Sequence, residues 1–558
     1  MSIKNFILQR SDHILPIVVL FLLGIILFWP TFSLALYGDE WQMLWFGKAV
    51  NLQKYQITSE DIWGAYWNEM AVFTWIFDSL GNNGSYYYFF SYICRFLAAA
   101  FFYWFLYSQF YSKKIAFLGS VFFMVSPIGI EATDWVRNFD SYLGIIFLLI
   151  GLQIILNFKG TTSILSLMLV FLTGSLINPL RVHGVFLTYE VMLLVQLFGA
   201  LGKKEMPFVK ILLTSAIVLG ALFFLLIKLN VFGGLSGNGL IGEAFNFSQS
   251  FRSLTVSIGN ILIPNFRLSE FPFRSIIFLL MSGVVSLSFL VNGNKLAGRF
   301  LGIFLLVVAG ELNYKYFYLA DSLYLAAIIA LFFLAIVGYW LVINIFNRTY
   351  KQTYLLTLVL CLLSAFMIYP VLRQSGFAAN FDHRYLIYSA LATPLLLVIF
   401  LANSFAKYKI LKNIGITLTC LIIIFNGIIT YRYISIASMS HPQSTCQNLR
   451  QQVFEQIRMV DFTKQKFFWF KTTRPEDDAE VYNCLTFGFM FMTGLQFQIW
   501  DQKLLPVAVY ETKEGINSML TDGKTTAKYT GQIKRVSSDD LLVFEIRDDK
   551  VVYQKNNF

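Results

Sequence analysis

The chain is 558 residues long, 57% hydrophobic and only 13% charged, whereas soluble globular proteins carry about 25% charged residues. That shortfall argues against a water-soluble fold and for an integral membrane protein. The formal net charge of +11 does not point to nucleic acid, because the basic residues form no single patch. They recur in small groups between apolar runs, as cytoplasmic loops do under the positive-inside rule.

The first apolar run, Ile14 to Leu36, is too long for the apolar region of a signal peptide, and no small-residue cleavage site follows it. It reads as a first span retained in the protein. A bilayer core takes about 20 apolar residues as a helix, with every backbone group bonded internally. Spans are predicted near 14–36, 86–107, 115–132, 141–157, 162–178, 184–201, 209–231, 274–292, 299–312, 323–345, 354–371, 385–403 and 413–432. The run 299–312 is the shortest, and a re-entrant path there would reverse the side of everything after it.

Charge sets the orientation. With Lys4 and Arg10 in the cytoplasm, the same side holds Lys113, Lys114, Lys159, Lys203, Lys204, Lys210, Lys295, Arg299, Arg348, Lys351, Lys407, Lys409 and Lys412. The opposite loops collect acids such as Asp39, Glu40, Glu60, Asp61, Glu131, Asp134, Asp140, Glu243, Glu270 and Asp382. The expectation is a multi-pass protein of a bacterial inner or plasma membrane, with a cytoplasmic N-terminus and an extracytoplasmic tail.

The first external loop, Tyr37 to about Ser85, opens with Gly38-Asp39-Glu40-Trp41 directly after the first span. Amphipathic patterns follow near 41–52 and 60–80, with Ser59 as an N-cap for the second. Trp41, Trp45, Trp63, Trp67 and Trp75 suit helices lying in the interface. The Asp39-Glu40 pair has two readings. It is either a helix N-terminus favoured by the macrodipole or a general base beside the lipid phase.

The second external loop runs from Pro127 to Asn138. Glu131 and Asp134 are three apart, so a helical turn sets them on one face, with Arg137 continuing it. Three basic groups lie on this same acidic side: Arg181 and His183 within Asn178–Gly184, Lys315 among Tyr314, Tyr316 and Tyr318, and Asp382-His383-Arg384-Tyr385 with Arg373 nearby. Arginine suits phosphate because its planar fork binds two oxygens at once. Each group alone reads equally as a snorkelling cation or an interfacial salt bridge. Together, early acids and later cations on one side suggest a shared site.

The segment 232–273 contains Gly233, Gly234, Gly237, Gly239 and Gly242. It follows no soluble strand and opens no P-loop, so it reads as a flexible external loop. From about 433 the composition turns polar. Ser444 to Phe462 reads as an amphipathic helix. Ala479–Tyr482, Leu505–Tyr510, Thr526–Ile533, Leu541–Ile546 and Val551–Tyr553 read as strands. Cys446 and Cys484 fall in this tail and are either a disulfide pair or two buried thiols. Cys94, Cys361 and Cys420 fall in apolar runs, and no Cys/His spacing suggests zinc.

Asp39-Glu40 after the first span, the long interfacial first loop, Glu131 and Asp134 in the second loop, and Arg384-Tyr385 at the start of a late span resemble the GT-C glycosyltransferases. These are polytopic enzymes that take a sugar from a polyprenyl-phosphate donor on the outer side of the membrane. This sequence has Asp-Glu where some members have Asp-Asp. The resemblance implies an all-α polytopic membrane domain over 1–432 and a small α+β extracytoplasmic domain over 433–558. It implies inverting transfer to a glycan, lipid or protein acceptor, with Asp39 as the base. Glu40, Glu131 and Asp134, with Arg137, would position the acceptor or bind a cation. Arg384, His383, Arg181, His183 and Lys315, with Tyr385, would hold the donor phosphate. No cofactor is required on this reading, though a divalent cation at Asp39 and Asp134 is compatible with it.

Two other classes are weighed against it. A transporter or flippase would show related halves and ionisable groups near the bilayer midplane, where only Arg95 and Lys228 depart from the pattern. A diphosphate-dependent polysaccharide polymerase or ligase would carry a large, Arg-rich late external loop, whereas 232–273 has only Arg252 and Arg267.

Overall fold

The computed structural model describes residues 3–34, 36, 40, 43–44, 67–81, 83–134, 136–158, 160–228, 247–263, 273–292, 302–305, 307–312, 322–347, 349–367, 386–404, 409–440, 452–453, 455–456, 466–472, 507–510, 525–526, 533–534, 541–547 and 550–554. Its helices in chain order are α1 (Ile3–Phe28), α2 (Trp67–Leu80), α3 (Gly84–Phe110), α4 (Lys113–Val125), α5 (Ile130–Asp134), α6 (Phe139–Leu156), α7 (Thr161–Ile177), α8 (Val182–Gly202) and α9 (Met206–Lys228). They continue with α10 (Phe247–Leu262), α11 (Phe273–Asn292), α12 (Ser322–Phe346), α13 (Tyr350–Ser364), α14 (Ala392–Ser404) and α15 (Lys409–Ser440). The short apolar segment Gly302–Leu312 is helical over 302–305 and 307–312.

Among the described residues, seven helices are long and apolar enough to cross a membrane: His13–Ser33, Gly84–Phe110, Phe139–Leu156, Val182–Gly202, Met206–Lys228, Ala326–Phe346 and Asn413–Ser435. Shorter apolar helices cover Met70–Leu80, Thr161–Ile177, Ser275–Leu287, Gly302–Leu312 and Ser389–Ala402. The outer faces are apolar. Leu15 is 70% exposed, Ile26 68% and Ile217 64%, surface that a bilayer removes from water at about 25 cal/mol per Å². The chain is a polytopic helical membrane protein.

Local chemistry sets the helix ends. Asn83 caps α3 by accepting from the Ser85 N–H at 3.1 Å. Tyr111 ends α3 in the left-handed region, its N–H bonding to the Tyr107 carbonyl at 2.8 Å. The predicted span 115–132 is shorter than expected, because α4 stops at Val125. Pro127 disfavours helical backbone at Ser126, and the chain turns through Gly129 (φ +93°).

Within the bundle, α3 packs on α4 and α6, α8 on α9 and α13, and α11 on α14 and α15. The segment 232–273 is only partly a loop. Its glycine-rich part falls outside the described residues, but α10 occupies 247–262 and packs on α12. Gly259 allows that packing: a Cβ there would lie 1.9 Å from the Ala326 backbone oxygen. Val256, Ile258, Ile261 and Leu262 are buried along α10, so the helix is as much a part of the core as the spans around it.

In the tail, β1 (Lys466–Thr472), β2 (Val507–Tyr510), β3 (Thr525–Thr526), β4 (Ile533–Lys534), β5 (Leu541–Arg547) and β6 (Lys550–Gln554) are described. One sheet has the order β2-β1-β5-β6, with β1 parallel to both β2 and β5, and β5–β6 an antiparallel hairpin. The expected strand Thr526–Ile533 is instead the two arms of an antiparallel pair, β3 and β4. Strand β1 was not predicted. The expected strand 479–482 and both tail cysteines lie outside the described residues. The expected helix Ser444–Phe462 is described as helix only at 452–453 and 455–456. There Gln452 and Gln456 bond the backbone of β6 at Val551 and Tyr553.

Candidate functional site

The site is organised by one face of α3. Tyr88, Ser91 and Arg95 recur at intervals of three and four residues and so project from the same side. Each reaches a different partner segment.

Tyr88 donates its hydroxyl to Glu40 Oε2 at 3.2 Å, and the Val136 N–H donates to Glu40 Oε1 at 2.6 Å. Glu40 is fully buried. A carboxylate without water needs donors on its oxygens, and these two come from α3 and from the 3-10 turn Val136–Asn138. Ser91 donates to the Ala132 carbonyl at 3.2 Å, fixing α5 against α3.

Arg95 is 1% exposed and is a charge at membrane depth. One nitrogen donates to the carbonyls of Met124 (2.9 Å), Ser126 (2.7 Å) and Phe123 (3.4 Å). The other donates to the hydroxyls of Thr133 (3.2 Å) and Tyr142 (3.1 Å). The Phe28 ring centre lies 4.6 Å from its guanidinium carbon. The last carbonyls of a helix have no partner within it, and Arg95 supplies donors for the end of α4. It is therefore a structural clamp. The sequence alone left it as an unexplained charge. The other outlier, Lys228, ends α9 with its ammonium 5.6 Å from the Phe224 ring centre, as a snorkelling cation does.

A second cluster surrounds Gly144 on α6. Asp140 lies in the first turn of α6, where the macrodipole favours an acid. The Asn178 amide donates to Ser141 Oγ at 3.3 Å. Arg181 closes the 3-10 turn Pro179–Arg181 ahead of α8. The Tyr388 hydroxyl sits where a Gly144 side chain would be, next to Asn178, and within electrostatic reach of Asp140 and Arg181. Its ring stacks on Phe366 with centroids 4.7 Å apart. Asp140, Asn178, Arg181 and Tyr388 are all buried.

Of the sequence-derived candidates, Glu40 and Arg181 are thus placed in polar clusters at the ends of α3, α6 and α8. His183 sets its ring edge-on to Phe223 of α9 with centroids 5.4 Å apart, whereas Arg181 lies within electrostatic reach of Tyr388. Glu131 and Asp134 share the helical turn α5 as the spacing predicts. Arg137 lies in a separate 3-10 turn, Val136–Asn138, and its backbone does not continue α5. The side chains of Glu131, Asp134 and Arg137 fall outside the described residues, as do Asp39, Lys315, His383, Arg384 and Tyr385. Among the described residues, no three His, Cys, Asp or Glu side chains converge to hold a metal.

Sequence reasoning missed Tyr88, Ser141 and Tyr388 as members of these clusters. It counted Asp140 only as an external acid and Asn178 only as a neighbour of Arg181. A signal was available in Asp140 and Gly144, four apart on one helix face, where a missing side chain leaves room for another group.

No family model matches the chain, and no curated protein does. Among solved structures, a crystal structure of the Archaeoglobus fulgidus oligosaccharyltransferase in complex with Zn and sulfate is similar at 12% identity and a TM-score of 0.41. The similarity covers 84% of this chain and 61% of that one, so this chain spans about three fifths of that enzyme's length. This is a likeness of outline, and it transfers no residue role.

Proposed function

We propose that the chain transfers a sugar from a polyprenyl-phosphate donor to an acceptor on the extracytoplasmic face of the membrane. The acceptor is a glycan, lipid or protein hydroxyl. Its oxygen attacks the anomeric carbon while the Asp39 carboxylate takes its proton. The bond from that carbon to the phosphate oxygen breaks with inversion, and polyprenyl phosphate leaves. Glu131 and Asp134 orient the acceptor. Arg181 and Arg384 hold the phosphate, with His383, Lys315 and Tyr385 around them, as fixed cations stabilise a leaving anion. A divalent cation at Asp39 and Asp134 is compatible with this scheme, and no step depends on it. The catalytic unit is 1–432, and the domain from 433 lies on the acceptor side.

The observation that carries this reading is the bonding of Glu40. Its carboxylate ties residue 40 to α3 and to Val136, two residues from Asp134. Asp39 is one residue from that anchor, so the acidic stretches of the two loops are tied together at one end of α3. Glu40 is a positioning residue here, and Asp39 is left as the base.

The test uses full-length protein in proteoliposomes with a panel of polyprenyl-phosphate hexoses and pentoses and a panel of glycan, lipid and peptide acceptors, reading acceptor-dependent release of polyprenyl phosphate by mass spectrometry. Wild type releases it. Asp39→Asn is expected to slow release by about 10²–10⁴-fold, the usual worth of a general base, with an unchanged melting temperature. Wild-type turnover in Asp39→Asn would remove Asp39 from the role.

A further inference from the structure

A cavity of about 1050 Å³ lies between α3, α6, α7, α8, α9 and α13. Its lining runs from Phe101 to Tyr111 along the last turns of α3 and from Leu149 to Asn157 at the end of α6. It therefore opens at the end of the bundle opposite Glu40, whose partner Tyr88 lies at the start of α3. At 1.5 Å per residue, Tyr88 and Tyr111 are about 35 Å apart along that helix. The cavity has no part in the proposed sugar transfer.

The lining is mixed. Trp104, Leu149 and Ile154 contribute apolar lining, and Gln153, Asn157 and Ser163 contribute polar lining. Lys203 and Lys351 also line the cavity. The Lys351 ammonium donates to the Gln109 backbone carbonyl at the end of α3 and lies 5.6 Å from the Tyr111 ring centre. The Lys203 ammonium lies 6.0 Å from the Tyr350 ring centre. Burial pushes the Lys351 ammonium down from its ordinary value, a cost that a bound anion would offset. The single carboxylate in the lining, Glu205, is exposed to solvent, as are Lys203 and Lys351 at the cavity mouth. Phe101 and Trp104 are 38% and 42% exposed, so the wall formed by α3 reaches the lipid-facing surface.

Two cations at helix ends, polar side chains and an apolar wall that reaches the lipid-facing surface match one kind of ligand: an amphiphile with an anionic head. The volume exceeds the roughly 300–1,000 Å³ of ordinary small-molecule pockets, leaving room for a headgroup and part of a chain. We propose that this cavity binds an acidic phospholipid, its phosphate between Lys203 and Lys351 and an acyl chain along Trp104, Leu149 and Ile154.

The test compares full-length protein in neutral detergent with added phosphatidylglycerol or phosphatidylcholine, reading retained lipid by native mass spectrometry and the melting temperature. Phosphatidylglycerol should bind on the order of 30-fold tighter, from about 1 kcal/mol for each of the two lysines, and should raise the melting temperature more than phosphatidylcholine does. The preference should vanish in Lys203→Gln/Lys351→Gln and persist in Lys203→Arg/Lys351→Arg. Equal binding of the two lipids by wild type overturns the proposal, as does a preference that survives both glutamines. An equal rise with millimolar inorganic phosphate overturns it in favour of a soluble-anion site. If the glutamine variant does not fold, the wild-type lipid comparison and the arginine variant still decide.

Discussion

Glu40 Oε1 lies 2.6 Å from the backbone nitrogen of Val136, a contact that spans 96 residues of sequence and joins the segment after α1 to the segment before α6. Replacing Glu40 with Ala leaves the Val136 N–H and the Tyr88 hydroxyl facing a void. An unsatisfied buried polar group costs about 1–3 kcal/mol. Glu40→Ala should therefore lower the melting temperature clearly. Glu40→Gln, which keeps a carbonyl oxygen for Val136, should lower it less. Equal melting of both variants with wild type would show that this carboxylate does not hold the loops together.

Arg95→Met should be the most damaging single change in the bundle. It keeps the length of the side chain but strips the donors from the carbonyls of Met124 and Ser126 and from the hydroxyls of Thr133 and Tyr142. Several buried acceptors are exposed to that penalty together, so little folded protein should be recovered by size-exclusion chromatography. Arg95→Lys supplies three donors without the planar fork and should recover part of the yield. Normal yield of Arg95→Met would mean the clamp is dispensable.

Gly144→Ala places a methyl group 1.7 Å from the Tyr388 hydroxyl oxygen and 2.9 Å from Cζ. Overpacking of this kind costs about 1–3 kcal/mol. Tyr388→Phe removes the nearer atom, so the double variant should be more stable than the sum of the single effects by at least about 0.5 kcal/mol. Additive melting shifts would contradict the contact.

Gly259→Ala is the contrasting case. The obstructing atoms belong to the Ala326 backbone, so no side-chain change on α12 can make room. The variant should separate α10 from α12 and raise cleavage by added protease within 247–262. Trimming large residues elsewhere on α12 should not restore resistance. Wild-type resistance in Gly259→Ala would refute the close packing.

The apolar runs were legible because lipid imposes a length and forbids unpaired backbone, and each of the thirteen runs contains helix among its described residues. Composition misled where packing, not hydropathy, decides. The glycines around 233–242 drew attention away from α10, whose Phe251, Leu254, Ile258 and Leu262 keep helical spacing. Strand β1 was overlooked because its aromatic run Phe467-Phe468-Trp469-Phe470 lacks the polar–apolar alternation sought, as strands paired in parallel often do. At the site, isolated carboxylates and arginines were visible as types. Their partners were not, since Tyr88, Asn178 and Tyr388 are ordinary residues until the fold brings a charge to them. Arg95 shows the converse: a conspicuous charge whose role is to finish a helix.

The end of α4 is completed from two very different points in the chain. Arg95 precedes it, but the Val125 carbonyl is met at 2.8 Å by the Thr430 hydroxyl, 305 residues later. At about 5–20 residues per second, that oxygen waits roughly 15–60 seconds during synthesis before its donor is made. The newborn protein must shelter a half-finished helix terminus in the meantime, so late assembly of the bundle, and not insertion of its early segments, is the stage at which a quality-control protease would find it most vulnerable.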